Sequence, residues 1–99
     1  MPIICHVATV ASWNEAKAKG FYEHPSLKSE GFIHCSQDHQ VAAVLERYFP
    51  GQTGLVKLVI DTDKLTSKYV FDWSPSSKDT FPHVYGPINI DAVTDIVAL

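Results

Sequence analysis

A chain of 99 residues with 45% hydrophobic and 19% charged side chains has the composition of one ordinary globular domain, and residues 1–99 are read as a single unit. A net charge of −3 with no Lys/Arg run gives no electrostatic reason to expect a nucleic-acid or anionic-membrane partner. The apolar stretches are strand-sized, too short for a bilayer, and Met1-Pro2-Ile3 runs into a strand pattern without a signal peptide, so a cytoplasmic location is expected.

The first strand is predicted over Ile3 to Ala8. Ser12-Trp13-Asn14-Glu15 then fits a capping box with Ser12 at the N-cap, Trp13 and Ala16 together with Phe21 supply a buried stripe, and Gly20 stops the helix. His24 to Glu30 reads as a polar loop. Gly31 to Cys35 is predicted as a second, central strand, and Ser36 as the N-cap of a second helix from Gln37 to Phe49, with Val41, Val44, Leu45, Tyr48 and Phe49 at helical spacing. Pro50 to Gly54 is a turn, Leu55 to Ile60 a third strand, and Asp61 to Leu65 a short turn or a single helical turn. Strands follow over Tyr69 to Trp73, Phe81 to Tyr85, Ile88 to Ile90 and Val93 to Leu99, with Ser74 to Thr80 as a polar loop. Two early helices followed by a run of short strands give an α+β fold around a split, bent, mostly antiparallel sheet.

Three histidines stand out, because strand ends open into crevices where polar side chains meet ligands. His6 lies in Ile3-Ile4-Cys5-His6-Val7, His34 in Gly31-Phe32-Ile33-His34-Cys35-Ser36, and His83 in Phe81-Pro82-His83-Val84-Tyr85-Gly86. With only apolar neighbours, His34 is expected to be the most desolvated, and a helix starting after Ser36 would aim free N–H groups at an anionic ligand there. His83 and Tyr85 share a strand face between Pro82 and Pro87. Trp73 reads as core or as a wall for a flat ring, whereas His24 and His39 read as surface residues. Cys5-His6 and His34-Cys35 together hold the ligand types of a zinc site, but adjacent strand residues point to opposite faces, so no metal is expected and both cysteines are read as buried free thiols. By the same parity His6 and His34 should face one cleft, with both thiols on the far side. Asp61, Asp63 and Asp72 are too scattered for a carboxylate pair, and no Ser-His-Asp order, P-loop, G-x-G-x-x-G or H-E-x-x-H is present.

The runs Gly31-Phe32-Ile33-His34-Cys35-Ser36 and Phe81-Pro82-His83-Val84-Tyr85-Gly86-Pro87 resemble the G-F-I-H-L-S and F-P-H-x-Y-G-P signatures of the family catalogued as domain of unknown function 952. The resemblance implies a compact relative of the ADP-ribosyltransferase fold, closest to the tRNA 2′-phosphotransferases. It further implies a transferase-like domain that binds NAD or a phosphorylated or ADP-ribosylated nucleotide. His6 would bond a ribose hydroxyl, and His34 would orient a base or phosphate or act as general acid. His83 or Tyr85 would fill the third catalytic position, and Ser36, Trp73 and Tyr85 would join His6 and His34 around the ligand. Val7 stands where the wider superfamily has a glycine, and the late motif lacks its glutamate. These departures favour a phosphotransferase-like or binding role over protein modification. The alternatives are a nucleotide-binding module without turnover and a structural or interaction domain with internally bonded histidines.

Overall fold

Strand β1 (Ile3–Thr9) passes without a break into helix α1 (Val10–Lys19). The computed structural model describes residues 2–99. Thr9 caps α1, its Oγ1 accepting the Ser12 N–H at 3.0 Å. The cap is therefore Thr9 and not Ser12: the strand ends at Thr9, which brings its hydroxyl to the free N–H groups of the first turn. Gly20 ends α1 at φ 95°, a left-handed conformation that costs a glycine little, and its N–H reaches the Ala16 carbonyl at 2.8 Å. Phe21 is not part of the helical stripe, since it begins the two-residue strand β2 (Phe21–Tyr22).

The loop that follows contains one helical turn, α2 (Ser26–Ser29). β3 is only Ile33–His34, shorter than the central strand expected from its sequence. A 3₁₀ turn (Asp38–Gln40) leads into α3 (Val41–Tyr48). Ser36 is not the cap of this helical segment. Gln37 holds that position in a capping box with Gln40, while Ser36 exchanges both backbone hydrogen bonds with Cys5 at 2.7 Å. The remainder is β4 (Leu55–Asp61), β5 (Tyr69–Ser74), β6 (Asp79–Val84), β7 (Ile88–Asn89), a 3₁₀ turn (Ile90–Ala92) and β8 (Val93–Ala98).

All strand pairs are antiparallel, in the orders β1-β4-β8, β3-β6-β5 and β2-β7, so the chain has an α+β fold built on antiparallel sheets. The Cys5–Ser36 exchange stitches the first sheet to the second. β1 is buried on both faces. Ile4 and Ala8 join the main core with Trp13, Ile33, Leu58, Ile60 and Val84, whereas Cys5 and Val7 pack under α3 with Val41 and Leu55. Each fully buried aliphatic side chain contributes about 1.5–3 kcal/mol, which fixes the strand in two layers at once. Among the described residues no helix is long and apolar enough to cross a membrane.

Candidate functional site

The second sheet has a buried face and an outward face, and the two sequence signatures divide between them by strand parity. Ile33 and Val84 pair across β3 and β6 and point into the core. His34 and His83 form the next pair and point outward, with ring centroids 5.1 Å apart. Phe32 shares that face. Its ring stacks on His83 at 4.1 Å with 4° between planes and meets His34 and Tyr85 edge-on. Of the apolar residues around His34, Phe32 thus lies on the outer face, while Ile33 and Cys35 enter the main core. The imidazole is not desolvated as expected, and its side chain is 53% exposed.

Each of the two imidazoles is held by a carboxylate. His34 Nε2 donates to Glu30 Oε2 at 2.9 Å, and His83 Nδ1 donates to Asp72 Oδ2 at 2.8 Å. The Tyr85 hydroxyl donates to the same Asp72 oxygen at 2.5 Å. Those bonds from Tyr85 and then His83 hold the Asp72 carboxyl below the usual carboxylate range. Among the described residues, His34 Nδ1 and His83 Nε2 have no protein hydrogen-bond partner, so both remain available to a ligand.

Two glycines shape this surface. Gly31, at φ 87°, turns the chain out of α2 with its N–H on Ser26 and Leu27 carbonyls, which brings Glu30 back over His34. At Gly86 a Cβ would lie 2.5 Å from Ser67 Oγ and 3.0 Å from Ser67 Cβ. The missing side chain lets the 67–68 segment close in, with Ser67 Oγ donating to the Pro87 carbonyl and the Tyr85 N–H donating to that of Lys68.

His6 has a different place. It is 5% exposed, its Nδ1–H donates to the His34 carbonyl at 2.6 Å, and its Nε2 accepts the Tyr22 hydroxyl at 2.8 Å. Burial lowers its pKa to about 4, so the ring is neutral at pH 7 and carries its proton on Nδ1. It borders the same cleft as His34, but both nitrogens are engaged inside the fold. The two thiols do not share the far side. Cys5 points toward α3 and Cys35 into the main core, because the parity that sends His6 toward that core sends Cys5 the other way. Burial raises the pKa of both thiols, and among the described residues no three His, Cys, Asp or Glu side chains converge as metal ligands.

An open cleft of about 590 Å³ runs from these imidazoles to the end of α3 and the β5–β6 turn. His6, His34, Ser36, Trp73 and His83 all line it, while Tyr85 lies behind His83 on Asp72. Trp73 is not core: it is 61% exposed at the cleft edge. Glu30 and His24 also line the cleft, although the sequence gives them as loop and surface residues. His24 Nδ1 bonds Ser26 Oγ at 2.9 Å, and burial lowers its pKa. The signals for the missed residues lie in spacing. Glu30 stands four before His34, and a turn closing at Ser74–Asp79 sets Asp72 opposite Phe81, two residues from His83 and on the same face.

The family described as "Protein of unknown function (DUF952)" matches residues 7–96. The chain belongs to that family. A crystal structure of protein CC0527 from Caulobacter crescentus superposes on this DUF952 fold with a TM-score of 0.87 at 30% identity, covering 97% of this chain and 84% of that one. A solution NMR structure of CC0527 gives 0.83 at 31% identity, over 100% and 85%. No curated protein sequence matches the chain.

Proposed function

We propose that this DUF952 domain is a transferase-type enzyme acting on a phosphorylated nucleotide, with His34 and His83 as its acid–base pair. The observation that carries the reading is the pair itself: adjacent outward imidazoles, each anchored to a carboxylate through one nitrogen and free at the other. Carboxylate anchoring fixes ring orientation and tautomer, as general acid–base work requires. At a phosphate ester, one imidazole takes the proton of the attacking hydroxyl as the new P–O bond forms. The other donates its proton to the leaving oxygen as the old P–O bond breaks. Either ring can play either part, and the two end the step with their protons exchanged.

Reaction class and ligand class rest on the resemblance to ADP-ribosyltransferases and tRNA 2′-phosphotransferases. NAD fits the residues less well than a shorter nucleotide. His6, which would grip the ribose, is already bonded at both nitrogens, Val7 stands in the glycine position, and no Lys or Arg lines the cleft among the described residues. A phosphate at the imidazoles would instead meet their free nitrogens, with the Ser36 hydroxyl also lining the cleft. The satisfied ring of His6 equally favours a second reading, a nucleotide-binding module without turnover.

Calorimetry against AMP, ADP, NAD, ADP-ribose and a 2′-phosphorylated nucleotide, followed by product assays, tests both. The transferase reading expects binding of a phosphorylated nucleotide and a bell-shaped pH–rate profile. His34→Ala and His83→Ala should each lower turnover about 10²–10⁴-fold, with NAD the weakest ligand. Binding without product in any pairing supports the module. Absence of binding by the wild-type chain overturns both.

A further inference from the structure

Six polar residues are buried among those described: His6, Ser26, Ser36, Gln40, Asp61 and Thr62. Five of them have side chains tied into the fold. His6 bonds Tyr22 and the His34 carbonyl, Ser26 bonds His24, and Gln40 bonds Asp79. Thr62 donates to the Pro2 carbonyl, and Asp61 accepts the Asp63 N–H. Ser36 is the exception. It is 6% exposed and spends both backbone groups on Cys5, yet its hydroxyl has no protein partner among the described residues. Every fully enclosed polar side-chain atom described does have one, so the Ser36 hydroxyl keeps a little surface, and the residue lines the cleft. A hydroxyl taken from bulk water without a partner costs free energy that an alanine would not, and such a group calls for an explanation.

The register sets where this hydroxyl points. Cys35 N–H donates to the Pro82 carbonyl and enters the main core, so Ser36 shares the outward face with His34 and comes level with Phe81. Its partner on the other side, Cys5, belongs with Val7 to the cluster on which Val44 and Phe49 pack. The hydroxyl therefore lies on the cleft floor, between the imidazoles and the apolar wall of α3. A second anionic group of a ligand there would lose hydration with no Lys or Arg to replace it, among the described residues. A neutral hydroxyl or carbonyl needs only one hydrogen bond, which a serine can give or take.

We infer that the Ser36 hydroxyl is a ligand contact that receives an uncharged polar group of the substrate, a hydroxyl or a carbonyl, beside the imidazoles. The inference rests on the function proposed above and narrows its substrate class to phosphate esters that carry such a group beyond the phosphate.

The experiment compares wild type, Ser36→Ala and Ser36→Cys by thermal melts, calorimetry and labelling with a small methanethiosulfonate. In the free protein Ser36→Ala should melt no lower than wild type, because no protein hydrogen bond is lost. A fall of about 4–8 °C, the size of one such bond, would assign the hydroxyl to the fold and overturn the inference. Ser36→Ala should weaken AMP about 3- to 10-fold and leave inorganic phosphate unaffected. Ribose 5-phosphate weakened alongside AMP assigns the contact to a sugar hydroxyl, and AMP weakened alone assigns it to the base. Inorganic phosphate weakened by the same factor overturns the inference, since the hydroxyl then serves the phosphate. In Ser36→Cys the introduced thiol should label while the buried Cys5 and Cys35 do not, and AMP should slow the labelling. No labelling, or labelling indifferent to saturating AMP, overturns the contact. Unchanged AMP affinity in Ser36→Ala, with turnover still lost in His34→Ala and His83→Ala, removes the contact and leaves the proposed function standing. Weakened AMP in Ser36→Ala with no product from any pairing keeps the contact and removes the enzyme. No binding of AMP or ribose 5-phosphate by wild type overturns both.

Discussion

His6 and His34 sit in strands of similar composition, are joined by one hydrogen bond, and behave as opposites. His6 is enclosed, neutral and bonded at both nitrogens, so its ring works for the fold by tying β1 to the backbone of β3 and to Tyr22. His34 stands outside on the same strand carbonyl that His6 grips, with one nitrogen on Glu30 and the other free. An apolar neighbourhood therefore does not decide whether a strand histidine is desolvated. What decides is which face of the strand the ring takes and whether that face is covered.

The comparison breaks most sharply on removal of each ring. His6→Ala should cost about 4 kcal/mol in urea unfolding, since it leaves a cavity and two buried groups unpaired. His34→Ala should stay within about 1 kcal/mol, because its hydrogen bond with Glu30 is half exposed on both sides. Comparable losses for the two would mean that the faces have been assigned wrongly. The next largest effect is pH. His6 titrates near 4 when folded against 6.5 ordinarily, so between those values the unfolded chain binds the extra proton. Its contribution is complete above about pH 6.5 and falls by roughly 3 kcal/mol as the pH drops to about 4. His24, also depressed by burial, adds in the same direction. In His6→Asn this slope should shrink to the part due to His24, as measured by unfolding at a series of pH values.

Two smaller changes sharpen the outward half. Gly86→Ala drives a methyl into Ser67 and should cost about 1–3 kcal/mol, and Ser67→Gly in the same chain should recover part of it. Recovery of melting temperature together with the NMR shift of the His83 ring would show that this close approach sets the Tyr85–Asp72–His83 arrangement. The least effect is expected at Lys78, the one non-glycine residue with positive φ among those described, at 53° in the turn beside Trp73. Lys78→Gly relieves a left-handed conformation worth about 1–2 kcal/mol but adds unfolded-state entropy. A net gain below about 1 kcal/mol in chemical denaturation is expected.

Much of the scaffold is legible in the sequence because burial imposes period. The strand at Leu55, the α1 stripe of Trp13 and Ala16, the Gly20 stop and the apolar face of α3 all follow from spacing. The caps are harder. Ser12-x-x-Glu15 satisfies the capping-box pattern as well as Thr9 does, and the choice falls to where β1 ends, a tertiary matter. The two-residue pairing of β2 with β7 leaves no periodic trace at all. In the site, the signature histidines and Tyr85 are visible as residues, but Glu30 and Asp72 become visible only once a turn and a hairpin register bring them across. The apolar run around His34 reads as core throughout because the sequence does not show that one face of β3, with Phe32 and His34, remains uncovered while Ile33 and Cys35 enter the core.

The pairing of β3 with β6 has a consequence for how the site comes into being. Glu30 and His34 are four residues apart, and Asp72, His83 and Tyr85 belong to one hairpin, so each half has the short contact range that forms early in folding. Their junction is a long-range closure, and only that closure stacks Phe32 on His83. A partly folded chain would therefore carry two separate carboxylate–imidazole couples. Recovery of any joint property of the two imidazoles during refolding should follow the slow closure of β3 on β6 rather than the earlier appearance of hairpin structure.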